Sequence, residues 1–324
     1  RGITFVAELQ MENRQFKVDS AAAAQSITVQ PLSVHTGALI DGADLTRPLG
    51  PKTINEIRQA LLKWKVVFFR DQHLDHAQHV QFARQFGALT PGHVVFGHDD
   101  TYPEIYSVAK FRAANQNQSP PVTRLWSGWH TDVTAAINPP AASILRGDVV
   151  PPYGGDTQWT NLVAAYKSLS PTLQAILDTL WGVHRFTATG IGKDAKEFRK
   201  SVNNRPLVSE HPIVTVHPET GERVLFVSPN YVKSISGMTD RESQPLLELL
   251  WEQAVRPEFT VRFKWETGSI AFWDNRATAH LAPTDIYQTD FDRQFYRVTL
   301  LGDIPRAVDG MLSRSIEGDP IEAA

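Results

Sequence analysis

The sequence predicts a β-rich fold with flanking helices, and three observations predict it. Short runs rich in β-branched and aromatic residues recur at 142–145, 157–160, 182–186, 213–216, 224–227, 259–265, 269–273 and 295–301, the composition expected of strands. The turn-forming Pro218-Glu219-Thr220-Gly221 lies between two of these runs and predicts a hairpin. Two stretches of helical spacing interrupt the pattern, 170–180, with Ser170 as N-cap ahead of Pro171, and 239–254.

Nearer the N-terminus the elements are mixed. Residues 1–26, with four consecutive alanines at 21–24 and no clear period, predict a loosely attached extension, and 27–324 predict a single folded domain. Apolar spacing predicts a helix over 54–62, and the continuous apolar run Val66–Phe69 predicts a buried strand. A second helix is expected from Asp75, as N-cap, to Phe86. His76 and His79, three apart on it, are read as a solvated face. The stretches 91–127 and 187–210 look irregular and are candidate lids, because long loops in compact domains are commonly functional.

Composition narrows the function classes. The 324 residues, 42% hydrophobic and 21% charged, are those of an ordinary globular chain. A net charge of −3 without a Lys/Arg-rich run argues against nucleic-acid binding. No apolar run is long enough for a membrane helix and no charged-then-apolar leader is evident, so no membrane association and a cytoplasmic location are expected. With no cysteine there is neither a disulfide nor a thiolate ligand or nucleophile. Any metal must use nitrogen and oxygen donors.

Trp129-His130-Thr131-Asp132 supplies such donors, and Trp273-Asp274-Asn275-Arg276-Ala277-Thr278-Ala279-His280 supplies another, 150 positions after His130. Residues two apart on an extended strand point to one side, so His130 and Asp132 converge. Two imidazoles and one carboxylate form a facial set that leaves positions open on an Fe(II) ion, whereas zinc favours a closed tetrahedral set or a single open position. The alternative for His280 is a loop histidine following a turn. Arg293 and Arg297 lie four apart in a strand-like run, so both guanidinium groups share a face and ask for two anions.

The order Trp-His-X-Asp-Val-Thr, then Gly155-Asp156-Thr157, then Trp-Asp-Asn-Arg-X-Thr-X-His, then Arg-X3-Arg-Val-Thr-Leu-X-Gly-Asp resembles the TauD/TfdA family of Fe(II)/2-oxoglutarate-dependent dioxygenases. It is most similar to the alkylsulfatase branch, also in Lys65-Val66-Val67-Phe68-Phe69-Arg70 and in the run from His211 to Arg223. The resemblance implies a double-stranded β-helix, or jelly roll, with iron held by His130, Asp132 and His280. It assigns Arg293 and Thr157 to the distal carboxylate of 2-oxoglutarate, Arg297 and His93 to the anion of the substrate, and Val133 to the pocket lining. Trp126, Trp129, Trp159 and Trp273 are expected as apolar walls. One departure is the interval of 13 between His280 and Arg293, longer than the family pattern.

The implied reaction consumes O2 and 2-oxoglutarate, releases succinate and CO2, and hydroxylates the carbon beside the sulfate of a small alkyl sulfate. The product then collapses to aldehyde and sulfate. Alternatives within the family are taurine, another sulfonate, or a carboxylate such as an aryloxyalkanoate or a natural-product intermediate. Outside it stand a non-catalytic metal-containing jelly-roll binder and a Zn- or Mn-dependent cupin isomerase. Family members form dimers or tetramers, which the resemblance implies here.

Overall fold

The structure, a computed structural model, describes residues 26–94, 97–109, 124–187, 200 and 202–324. Residues 1–25 of the expected extension, and the parts of both expected lids at 95–96, 110–123, 188–199 and 201, lie outside those described. No helix among the described residues is long and apolar enough to cross a membrane.

The chain opens with β1 (Thr28–Pro31), β2 (Ala38–Asp41), helix α1 (Pro51–Trp64), β3 (Val66–Phe69), helix α2 (His76–Arg84) and β4 (Tyr106–Ala109). There follow β5 (Ala142–Val149), β6 (Thr157–Asn161), helices α3 (Leu162–Lys167) and α4 (Pro171–Leu177), β7 (Trp181–Arg185), β8 (Val208–Pro212), β9 (Val214–Val216) and β10 (Arg223–Leu225). The last third holds β11 (Val232–Ile235), helix α5 (Asp240–Ala254), β12 (Thr260–Phe263), β13 (Ile270–Asp274), β14 (Thr278–Leu281), β15 (Gln294–Leu300) and β16 (Arg314–Glu317).

A seven-stranded sheet runs β1-β2-β3-β13-β5-β15-β4, and a three-stranded sheet runs β12-β6-β14. Every pairing in them is antiparallel except β2 with β3. Side-chain alternation says what each face meets. Val66, Phe68, Ala271, Trp273, Leu145 and Phe295 of the large sheet pack with Trp159, Val261, Phe263 and Trp265 on the small-sheet side. Their neighbours Val67, Phe69, Ile270, Phe272, Ile144 and Val298 pack with Ile57 and Leu61 of α1 and with Val80 and Phe82 of α2. This is a jelly-roll core with helices outside one sheet. It also explains the unbroken apolar run Val66–Phe69, since a strand covered on both faces does not alternate.

Two further sheets, β11-β7-β8-β16 and β10-β9, complete the molecule. The predicted hairpin joins β9 to β10, with Val216 opposite Arg223 and Gly221 at φ 69°. Helix α1 begins at Pro51 and stops where Lys65, at φ 68°, donates its N–H to the Leu61 carbonyl at 2.7 Å. Asp75 caps α2 in a capping box with Gln78, as the residue type predicts.

Two expectations fail here. His79 is fully buried beside Val80, Phe82 and Ala83, and His76 packs edge-on to Tyr296 and accepts from Arg146 Nη2 at 2.9 Å. This side of α2 therefore faces the sheet, not water. The stretches read as irregular contain strands β4 and β8, which pair with β15 and β7.

Candidate active site

His280 sits on β14, opposite Trp159 of β6, so it is a strand residue. His130 lies outside any strand but exchanges both backbone hydrogen bonds with His280, at 2.9 and 2.7 Å. That bridge places the two imidazoles 4.2 Å apart, centre to centre. Thr131 points the other way and donates its hydroxyl to the Thr278 carbonyl at 2.7 Å. The chain then leaves extended geometry: Asp132 starts a turn and Val133 takes φ 47°, with its carbonyl accepting from Ala136 N. A β-branched residue in the left-handed region is a rare and costly conformation. The His-X-Asp convergence thus comes from one bridge and one strained turn, where an extended strand was expected.

Nε2 of His130 and of His280 lie 4.0 and 3.9 Å from Asp132 Oδ1, and one donor atom from each of the three residues falls within 4.8 Å of the others. His130 Nδ1 is 3.0 Å from the Gly128 carbonyl, which only accepts, so Nδ1 carries a proton and Nε2 is the nitrogen turned toward Asp132. Burial, then the neighbouring His130, pushes His280 down to about 3, which keeps that ring neutral. Burial alone would raise the Asp132 carboxyl, but Arg297 and the two imidazoles hold it well below the usual carboxylate range. Two imidazoles and one carboxylate are donors suited to Fe(II).

Asp132 is further held by two bonds. Ser143 of β5 donates to Oδ2 at 2.8 Å, and Arg297 Nη1 donates to Oδ1 at 2.7 Å. Ser143 accepts from Asn275 Nδ2 at 2.8 Å, and Asn275 Oδ1 accepts from Trp273 Nε1 at 2.8 Å. The outer side of the same turn is clamped separately. Arg276 grips both oxygens of the fully buried Asp274, at 2.9 and 2.7 Å, and His217 Nε2 meets Oδ2 at 2.9 Å.

Phe295 and Arg297 lie on β15 and Arg293 just before it, all three buried, with the Arg293 guanidinium 3.8 Å above the Phe295 ring. Arg293 is buried and makes no ion pair among the described residues; its Nε donates to the Gly155 carbonyl at 3.3 Å. Burial lowers it to about 10, still charged at neutral pH. Trp265 links it to Thr157, donating to Thr157 Oγ1 at 2.9 Å and meeting the Phe295 ring edge-on at 4.8 Å. Arg297 keeps a buried Nε–H without a partner among the described residues and lies 5.1 Å from the Tyr106 ring. His93 stands 5.1 Å from Tyr106 and 6.3 Å from Phe186. Val133, Phe186, Val202 and Leu207 form one apolar cluster with Val94 and Tyr231 against it.

All eight sequence-predicted residues therefore fall in one region. The tryptophans divide: Trp159 and Trp273 border the triad, with Trp273 5.0 Å from His280, whereas Trp126 and Trp129 pack in the cluster that includes α3 and α5. Sequence reasoning missed Ser143, Asn275, Trp265, Tyr106, Phe186 and Tyr231. Asn275 lay inside a motif but had no stated role, and Ser143 carried one signal, a lone hydroxyl in an apolar run.

A jelly roll holding two histidines and an aspartate together, with a buried arginine that no acid among the described residues neutralises, defines a non-haem iron dioxygenase using 2-oxoglutarate and O2. Residues 28–299 match the model of the taurine catabolism dioxygenase TauD, TfdA family, and the chain belongs to that family. It is 38% identical to an alpha-ketoglutarate-dependent sulfate ester dioxygenase of Pseudomonas putida, over 91% of this chain and 96% of that one. It is 33% identical to an alkylsulfatase of Acinetobacter baylyi, over 93% and 94%. A crystal structure of a taurine dioxygenase from Burkholderia xenovorans is similar at 60% identity and TM-score 0.81, over 91% and 96%.

Proposed function

We propose that this dioxygenase oxidises alkyl sulfates, hydroxylating the carbon that bears the sulfate oxygen. The observation that carries this reading is that Arg297, whose buried Nε–H has no partner among the described residues, bonds Asp132, the neighbour of Val133 in an apolar cluster with Phe186. A guanidinium fork suits a sulfate, and methyl and ring carbons suit an alkyl chain beyond it. Fe(II), when bound with 2-oxoglutarate and O2, supplies the oxidising power, with succinate and CO2 as co-products.

The chain's own residues then have these parts. His130 Nε2, Asp132 Oδ1 and His280 Nε2 hold the metal. Arg293 and Thr157 hold the distal carboxylate of 2-oxoglutarate, and Arg297 with His93 holds the substrate anion. Val133, Phe186 and Tyr231 seat the apolar part and exclude water from the carbon to be oxidised. The hydroxylated carbon then carries both a hydroxyl and a sulfate ester. Loss of the hydroxyl proton and departure of sulfate with the C–O bonding pair leave the aldehyde.

A second reading, taurine or another sulfonate, draws support from the name of the Burkholderia relative. The test is succinate formation by Fe(II)-loaded protein across alkyl sulfates, alkyl sulfonates, taurine and aryloxyalkanoates, with aldehyde, sulfate and sulfite assayed in parallel. Stimulation by medium-chain alkyl sulfates with matching aldehyde supports the proposal. Stimulation confined to taurine, with sulfite released, replaces it by the second reading.

A further inference from the structure

Asp132 is held by a directional hydrogen-bond chain whose other members, Trp273, Asn275 and Ser143, have no part in the roles given above. It runs from Trp273 Nε1 to Asn275 Oδ1, from Asn275 Nδ2 to Ser143 Oγ, and from Ser143 Oγ to Asp132 Oδ2, each step 2.8 Å. Trp273, Asn275, Ser143 and Asp132 are 1%, 1%, 0% and 3% exposed, so no water competes for these bonds.

The direction of every bond follows from the first donor. An indole N–H only donates, so the Asn275 atom facing it is the carbonyl oxygen and the amide nitrogen faces Ser143. Ser143 Oγ accepts that N–H, which leaves its single proton for Asp132. Asp132 Oδ2 must therefore accept, and it is committed to Ser143. Oδ1 is the oxygen within 4.0 Å of both Nε2 atoms.

We propose that Ser143 and Asn275 are positioning residues that restrict Asp132 to one-oxygen metal ligation, Ser143 by engaging Oδ2 and Asn275 by fixing where the Ser143 proton points. The proposal rests on the reading of Asp132 as a metal ligand. One-oxygen ligation leaves a coordination position that a chelating carboxylate would fill, and the reaction needs open positions for cosubstrate and O2. The chain spans long sequence distances, joining β5 to the turn between β13 and β14. The backbone supports the same contact, with Asn275 N donating to the Ala141 carbonyl at 2.9 Å.

The test uses Co(II) as the probe, titrated into the full chain without cosubstrate and followed by its visible ligand-field spectrum. Ser143→Ala removes the donor to Oδ2. Asn275→Asp keeps the side-chain size but offers Ser143 an acceptor, turning its proton away from Asp132. Each variant is expected to weaken Co(II) about tenfold and to change the spectrum, as loss of an outer-shell partner does elsewhere. The double variant is expected to match either single one, because both act through the same bond. Ser143→Thr, which keeps the hydroxyl, restores the wild-type spectrum.

Wild-type affinity and spectrum in both single variants overturn the proposal, as do losses that multiply in the double variant. If Ser143→Ala does not fold, Asn275→Asp alone decides. Asp132→Ala is run alongside. Unchanged Co(II) binding there overturns the ligand reading itself, whereas its loss with Ser143→Ala and Asn275→Asp unaffected overturns only the positioning role.

Discussion

Arg293, just before β15, and Arg297, on it, are both buried four residues apart, yet their surroundings differ. Arg297 spends Nη1 on Asp132 and keeps Nε–H in reserve, while Arg293 spends Nε on a backbone carbonyl and has no acidic partner among the described residues. Acidic groups are near Arg293, but they are engaged elsewhere. Asp156 accepts from Arg262 at 2.7 Å, and Asp285 accepts from the Gly155 N–H at 3.1 Å. A buried cation without a partner is costly, so a fold that keeps one is preorganised for an anionic ligand. The contrast supports the proposal that the cosubstrate takes the vacant positive end and the substrate the one shared with Asp132.

The strongest way to break this contrast is Arg293→Ala. Losing one side of a buried charge pair costs about 3–5 kcal/mol, so calorimetry is expected to show 2-oxoglutarate binding weakened by on the order of 100-fold or more. Arg297→Ala is expected instead to raise KM for the alkyl sulfate while moving the Kd for 2-oxoglutarate less than about threefold, since charges that share no ligand act nearly independently. Equal effects of the two substitutions on 2-oxoglutarate would collapse the distinction.

A smaller change sharpens it. Gly155 has φ 66°, and a Cβ there would lie 3.1 Å from both Cδ and Nε of Arg293. Gly155→Ala is expected to push the guanidinium aside and raise the Kd for 2-oxoglutarate by on the order of tenfold, at a strain of about 1–3 kcal/mol. The KM for alkyl sulfate should not follow.

The smallest expected effect on the clamp is that of pH. Arg293, at about 10, stays charged from pH 6 to 9, so its contribution to 2-oxoglutarate binding should be flat across that range. Acid acts on the scaffold. Burial lowers His211 to about 4 and His79 to about 3, so the folded protein keeps both neutral while the unfolded chain takes up protons near 6.5. Their stabilisation is complete above 6.5 and is lost as pH falls toward 4, by ~1.4 kcal/mol per pH unit for each histidine. Urea unfolding at pH 7.5, 6.0 and 5.0 measures the slope, and a flat profile would show that these rings are not held neutral.

Most of this site could be read from the chain because its chemistry lies in short motifs. The imidazoles, the aspartate and the arginine pair each carry a residue type and spacing that few structural roles require. The jelly-roll strands were visible where one face or both faces are apolar, as at Val66–Phe69 and Gln294–Leu300. What stayed hidden depends on distant pairing. Strands β4 and β8 are short and acquire their identity only by lying beside β15 and β7. The face that His79 presents was set by the sheet beneath α2, since a spacing of three fits a buried side as well as a solvated one. Ser143 and Asn275 are 132 positions apart, and no local pattern links them.

Val133 has a consequence for engineering. Its left-handed backbone stores strain beside Asp132, so replacements that adopt φ 47° more comfortably, such as glycine or asparagine, would relax the turn. A selection for heat resistance alone would therefore favour changes at a position that shapes the metal-facing loop. Thermostable variants of this enzyme are best chosen by an assay that reports turnover as well as survival.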